Sequence, residues 1–249
     1  MIILKSEAEI EKIRTAGRIV GEILESARSC ITAGISTADI EDFIEKQIKD
    51  KKAIPAFKGY RNYPTCSCIS VNDQVVHGIP SKTVRLRDGD IVSIDLGAVI
   101  DGYYGDAAVT IPVGSIRADA AELVRVTEES LFKGIQKAVV GNRISDISAA
   151  IQGHVESHGF SVVRAFVGHG IGRLLHEDPQ VPNFGRPGSG PRLKEGMTLA
   201  IEPMVNAGKP DVMILDDGWT AVTADGSLSA HFEHTIAVTK NGPRILTKP

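Results

Sequence analysis

Apolar residues at Ile10, Ile13, Val20, Ile23, Leu24 and Ala27 recur at helical spacing. The tetrapeptide Ser6-Glu7-Ala8-Glu9 before them reads as a capping box, so a helix is predicted over roughly 7–29. A second helix is expected after Gly34, with Ile40, Phe43, Ile44 and Ile48 on one face. From about Pro55 to Val113 the pattern turns to strands punctuated by Gly, Pro and Asn. Helical spacing returns at about 118–139 and at about 144–158, ending at Gly159, and the remainder to Pro249 reads as strands and loops. Two helices followed by strands thus occur twice.

The repetition extends to individual residues. "GISTADI" from Gly34 matches "GNRISDI" from Gly141, a shift of 141 − 34 = 107. "LRDGDIVSID" from Leu86 matches "LKEGMTLAIE" from Leu193, and 193 − 86 is again 107. Two similar loops before strands would not need a common offset. The pattern predicts one α+β domain over 1–249, built of pseudo-repeat halves at about 1–115 and 116–249 packed around a pseudo-two-fold axis.

The repeat also pairs acids that sit in apolar strands. Asp95 and Asp106 lie in "IVSIDLGAVIDGYYGDAAVTI", which starts at Ile91. The offset places Asp95 on Glu202, and Asp106 would correspond to Glu233 in "AHFEHTIAV" after about 20 extra residues. A hairpin centred on Asp101-Gly102 or on Ile100-Asp101 keeps Asp95 and Asp106 on one face, since the two registers differ by two residues. His231, Glu233 and Thr235 share a face in the later strand, with Phe232 and His234 on the other. Taken singly, each acid reads better as a cap at a strand end than as a ligand. Four carboxylates gathered at one buried point would repel one another and raise each other's pKa. Protonation relieves this, and two divalent cations relieve it more fully. His169 in "VGHGIG" is the candidate imidazole, although a lone histidine there also reads as a core residue. Oxygen ligands with one imidazole suit Mn, Fe(II), Co or Zn better than Mg or Ca.

Composition narrows the function classes. The 249 residues are 42% hydrophobic and 24% charged with a net charge of -3, so no basic footprint points to nucleic acid. Cys30, Cys66 and Cys68 form no disulfide framework, and Cys66-x-Cys68 has no Cys or His cluster to complete a zinc site, which leaves core thiols. The start "MIILKSEAEIEKI" is not a signal peptide, and no apolar run approaches ~20 residues. A cytoplasmic protein is expected. "GHGIG" is not a dinucleotide fingerprint, "HEDPQ" from His176 lacks the second His of HExxH, and Pro187 stands where GxSxG needs glycine.

"DLGAVIDGYYGDAAVTI", "FVGHGIGRLLHEDPQVPNFG", "GMTLAIEPMV" and "HFEHTIAV" together resemble the type I methionine aminopeptidases of bacteria, and the similarity runs nearly end to end. The resemblance implies the pita-bread fold, with duplicated halves around a curved antiparallel sheet. It implies two divalent metal ions held by Asp95, Asp106, His169, Glu202 and Glu233, with Asp106 and Glu233 bridging, Asp95 on one ion, and His169 and Glu202 on the other. It further implies hydroxide attack on the first peptide bond, Glu202 as proton shuttle, and His77 and His176 as contacts to the scissile peptide and oxyanion. By the same resemblance Phe57, Tyr60, Tyr63, Cys68, Leu175 and Trp219 wall a methionine pocket. Phe57 stands where a Cys is common in bacterial members and Leu175 where an aromatic is common, so the pocket shape departs from theirs.

The implied activity is removal of the initiator methionine from nascent polypeptides when the second residue is small, near the ribosome and as a monomer, with no nucleic-acid or membrane partner. Neither the long insertion of type II relatives, nor an N-terminal zinc finger, nor the N-terminal domain of the X-Pro peptidases is seen. An X-Pro peptidase is the alternative enzyme. An inactive binding module of the same fold would be expected to lose ligands, and all five are kept.

Overall fold

The computed structural model describes residues 1–249. Helix α1 spans Glu7–Arg28 and starts as the capping box predicts: Glu9 N–H donates to Ser6 Oγ at 3.4 Å, and Ser6 N–H donates to Glu9 Oε2 at 3.0 Å. Helix α2, Thr37–Asp50, opens in the same way on Ser36 and Asp39. Helices α3, Ala118–Gln136, and α4, Ile144–Ser157, fill the two later helical segments. The stretch expected to be β holds strands 54–55, 67–71, 74–76, 91–100 and 103–112. It also holds a 3-10 turn, Tyr60–Asn62, where Arg61 and Asn62 take φ of 49° and 70°.

A nine-stranded sheet organises the molecule. Its path runs 54–55, 91–100, 103–112, 233–239, 198–201, 168–170 and 177–181, with 67–71 added on 91–100 and 242–245 on 233–239. All these pairings are antiparallel. The long hairpin turns on Asp101-Gly102, with φ of 50° and 74°, the two positive values that a tight Asp-Gly hairpin turn requires. Of the two registers the sequence allowed, this turn selects the one pairing Ile91 with Pro112.

One face of the sheet is covered by helices. A core of 41 buried residues joins Val20, Ile23 and Leu24 of α1, Ile40, Ile44 and Ile48 of α2, and Leu123, Ile147 and Ile151 of α3 and α4 to Ile94, Leu96, Leu199 and Ile236 of the strands. Helix α1 lies directly on strand 103–112: a Cβ on Gly105 would sit 2.6 Å from Gly17 Cα, so two backbones meet where side chains would keep them apart. No helix is long and apolar enough to cross a membrane.

The 107-residue shift recurs in backbone hydrogen bonds. Gly34 N–H donates to Leu86 O and Gly141 N–H to Leu193 O, at 2.8 and 3.0 Å. Leu86 N–H donates to Ile35 O and Leu193 N–H to Asn142 O, at 2.9 and 2.7 Å. Arg85 and Arg192 each reach the carbonyl of the corresponding glycine. The extra residues between Glu202 and Glu233 include a hairpin, 212–214 with 221–223, that pairs with strand 74–76.

The contact at Gly105 predicts that Gly105→Val lowers unfolding stability by about 2–3 kcal/mol through overpacking. Gly153→Ala, in α4 with nothing within 4 Å of the added Cβ, should instead raise it by about 0.5–1 kcal/mol. Denaturant midpoints of the two variants check this, and a Gly105→Val protein as stable as its parent would contradict the packing.

Candidate metal centre

Sheet register alone brings the acids together. Asp95 pairs with Ala108 across the hairpin, and Gly97 pairs with Asp106. On its other edge the same Ala108 pairs with Glu233. Residues directly across a ladder share a face, as do residues two apart along a strand. Asp95, Asp106 and Glu233 therefore project from one face around the small side chain of Ala108. Thr235 pairs with Ala200, and Ala200 with His169, so the same face continues to the imidazole and to Glu202 just past the strand end. The glycines beside His169 permit this approach: a Cβ at 168 would collide with the Ala200 carbonyl, and one at 170 with the Asp178 carbonyl.

Hydrogen bonds hold the set in place. Thr235 Oγ1 accepts from Asp106 N–H at 3.1 Å and donates to Asp106 O at 2.8 Å, which pins the Asp106 backbone. His169 Nδ1 lies 2.9 Å from the Gly170 carbonyl, which can only accept, so the proton is on Nδ1. The Nε2 lone pair then faces the acids, 3.5 Å from Glu202 Oε1 and 3.9 Å from Asp106 Oδ2. Asn183 donates to the Glu202 carbonyl at 3.0 Å.

The electrostatics suit a site for cations. Burial raises Asp95 to about 7, against an ordinary 3.8. Asp106, Glu202 and Glu233 are pushed well above the usual carboxylate range, first by burial and then by neighbouring carboxylates, Asp95 acting on all three. Burial lowers His169 to about 3, so its imidazole is neutral. Asp95 Oδ1, Asp106 Oδ1 and Glu233 Oε1 are buried without a hydrogen-bond partner. Ligand atoms of Asp106, His169 and Glu233 lie within 4.8 Å of one another. Orphaned acceptors, crowded carboxylates and an imidazole fixed in its ligating tautomer fit divalent metal ions.

The acids end a cavity of about 330 Å³. Its lining includes Asp95, Asp106, His169, Glu202 and Glu233, with His77 and His176, and with Phe57, Tyr60, Tyr63, Cys68, Leu175 and Trp219. Every residue named from the sequence is thus at this cavity. Trp219 comes from the extra hairpin of the later strands and packs edge-on against Tyr63 at 5.0 Å. His77 follows strand 74–76 at φ 61°, a strained value for a non-glycine residue, and burial lowers it to about 4. His176 stacks on Tyr60 at 5.2 Å and lies 4.2 Å from His169. Loss of solvent in the cleft and then the Arg61 charge hold it below its ordinary pKa. The loop carrying Leu175 and His176 is shaped by Glu177, whose Oε1 accepts from Arg173 and Leu174 N–H and which pairs with the buried Lys5.

Arg61, Phe166 and Met204 also line the cavity and were not legible as site residues. Phe166 lies three positions before His169 and Met204 two after Glu202, which is the one signal the sequence offered. Arg61 had none, because its place depends on the 3-10 turn.

The sequence pattern of metallopeptidase family M24 matches residues 11–240. The chain is 58% identical to the methionine aminopeptidase of Clostridium perfringens over 247 residues, which is 99% of both chains. It is 55% identical to that of Clostridium acetobutylicum over 247 residues, again 99% of each. The crystal structure of the Thermotoga maritima methionine aminopeptidase superposes with a TM-score of 0.99 at 53% identity, covering 100% of both chains. The chain belongs to metallopeptidase family M24 and, within it, to the methionine aminopeptidases, whose pita-bread fold it shares.

Proposed function

We propose that this metal-dependent aminopeptidase removes the initiator methionine from newly made polypeptides whose second residue is small, and that Asp95, Asp106, His169, Glu202 and Glu233 hold two divalent ions. The observation that carries this reading is the meeting of the five side chains at one end of a cavity whose other walls are aromatic and apolar. These residues would hold the ions between them: Glu233 and Asp95 flank the same Ala108, and Asp106 lies near both Asp95 and His169. Fe(II), Mn, Co and Zn all match a donor set of carboxylates with one imidazole. When bound, such ions supply Lewis acidity and lower the pKa of water.

The remaining roles fall to the chain itself. Glu202 faces the cavity and is less buried than Asp106, with side-chain exposures of 14% and 5%. It takes a proton from the attacking water and returns it to the departing amine. His77 and His176, held by Phe166 and Tyr60, orient the scissile peptide and donate to the oxygen that gains charge. Phe57, Tyr63, Cys68, Leu175 and Trp219 enclose an unbranched thioether, which bends to fit and packs well on ring edges. The five-ligand set is complete within one chain, which supports action as a monomer. The three free cysteines support a cytoplasmic setting beside nascent chains.

Metal-free protein supplied with Mn(II) should release Met from Met-Ala-Ser and leave an X-Pro dipeptide intact. Glu202→Gln should lower kcat by about 100-fold or more while bound metal stays near the parent level. Cleavage of X-Pro alone would overturn the substrate reading, and full activity in the variant would overturn the proton role.

A pH dependence follows from the crowded acids. Folding raises Asp95 from 3.8 to about 7 and raises its three neighbours as well. These four carboxyls bind more protons in the folded metal-free chain than in the unfolded one, so their contribution to stability falls as pH rises from about 4 through about 7, while the buried histidines, held below their ordinary pKa, contribute in the opposite sense. Divalent ions displace those protons. The gain in Tm on adding Mn(II) should therefore be larger near pH 7.5 than near pH 5.5, as scanning calorimetry would show. A gain that shrinks with rising pH would contradict the linkage.

A further inference from the structure

The cavity is acidic at its end and carries one permanent cation. Of its 19 lining residues, Arg61 is the sole Lys or Arg. It sits in the turn Tyr60–Asn62, which is closed by hydrogen bonds from Gly59 N–H to Tyr63 O at 2.8 Å and from Tyr63 N–H to Tyr60 O at 2.9 Å. The backbone position of Arg61 is thus fixed although its side chain is exposed. Its guanidinium carbon lies 5.4 Å from the centre of the Tyr60 ring. It has no carboxylate partner, so its five N–H donors are uncommitted.

A ladder of contacts joins this group to the metal ligands. Tyr60 stacks on His176 at 5.2 Å, and His176 lies 4.2 Å from His169. Arg61 is thus three side-chain steps out from His169, on the exposed side of the cavity. An extended peptide advances about 3.4 Å per residue. A chain whose first side chain fills the aromatic pocket and that leaves the cavity beside Arg61 would present residues beyond its second to the guanidinium. A carboxylate there meets a planar donor fork, and an ammonium meets a like charge.

We propose that Arg61 forms an anion-accepting subsite on the exposed side of the cavity, which favours substrates with a carboxylate beyond the second residue and disfavours basic ones. The subsite rests on the methionine-releasing reading given above. Both a side-chain carboxylate and the C-terminal carboxylate of a short peptide carry the required chemistry, and C-terminal amides separate the two.

The test uses the Mn(II)-loaded full chain and three amides, Met-Ala-Asp-Gly, Met-Ala-Asn-Gly and Met-Ala-Lys-Gly, together with Met-Ala-Asn-Gly as the free acid. The ratio of kcat/KM for the Asp peptide over the Lys peptide is taken within each variant, so any general loss of rate cancels. Arg61→Gln should lower this ratio by about two- to five-fold, the range of an exposed ion pair, and Arg61→Glu should lower it further. Arg61→Lys should retain most of it, and about 0.5 M salt should shrink the difference. A drop in the free-acid to amide ratio in Arg61→Gln would place the terminal carboxylate in the same subsite. Asp-to-Lys and acid-to-amide ratios both unmoved by Arg61→Gln would overturn the subsite while leaving the methionine-releasing reading intact. Failure of the parent protein to release Met from the neutral amide would remove that reading and the subsite with it.

Discussion

Four carboxyl groups face one another across a sheet interior, and nearly every other feature of the site follows from their repulsion. Water screens them poorly there, and buried ions cost several kcal/mol apiece unless compensated. The chain offers them few hydrogen bonds: Asp95, Asp106 and Glu233 each retain an unpartnered buried oxygen. It supplies one imidazole, whose proton is held on the side away from the acids. Such an arrangement is poor for a bare protein and good for one that carries divalent ions, so the cations complete the fold's electrostatics as well as its chemistry.

What keeps the acids in so unfavourable a place is the scaffold behind them. The strands that bear Asp95, Asp106 and Glu233 are locked to one another through Ala108, and their opposite faces join the helices in the large core. The backbone contact of Gly17 with Gly105 ties α1 to the strand carrying Asp106. Releasing one carboxylate toward solvent would mean slipping a strand by one residue, which turns its apolar face outward as well. Burial of the core opposes that slip, and the rigid cradle is the result.

Much of this was legible in the residues. The 107-position offset alone aligns Glu202 with Asp95, and the same offset reappears in the hydrogen bonds at Gly34 and Gly141. The helix starts were written in Ser6-x-x-Glu9 and Ser36-x-x-Asp39. The hairpin register was left at two choices because side-chain alternation cannot distinguish shifts of two; the positive φ values at Asp101 and Gly102 decide it. Arg61 and Phe166 stayed hidden because long-range packing of loops, with no periodic signal, brings them to the cavity. Trp219 was reached through resemblance alone, since the hairpin that delivers it has no counterpart in the earlier strands.

The most direct test of the account is anomalous scattering from crystals of the metal-free protein soaked in Mn(II). Two peaks are expected inside the ring of Asp95, Asp106, His169, Glu202 and Glu233, with Asp106 and Glu233 in contact with both. Manganese bound elsewhere on the chain, with the five side chains unligated at saturating Mn(II), would contradict it.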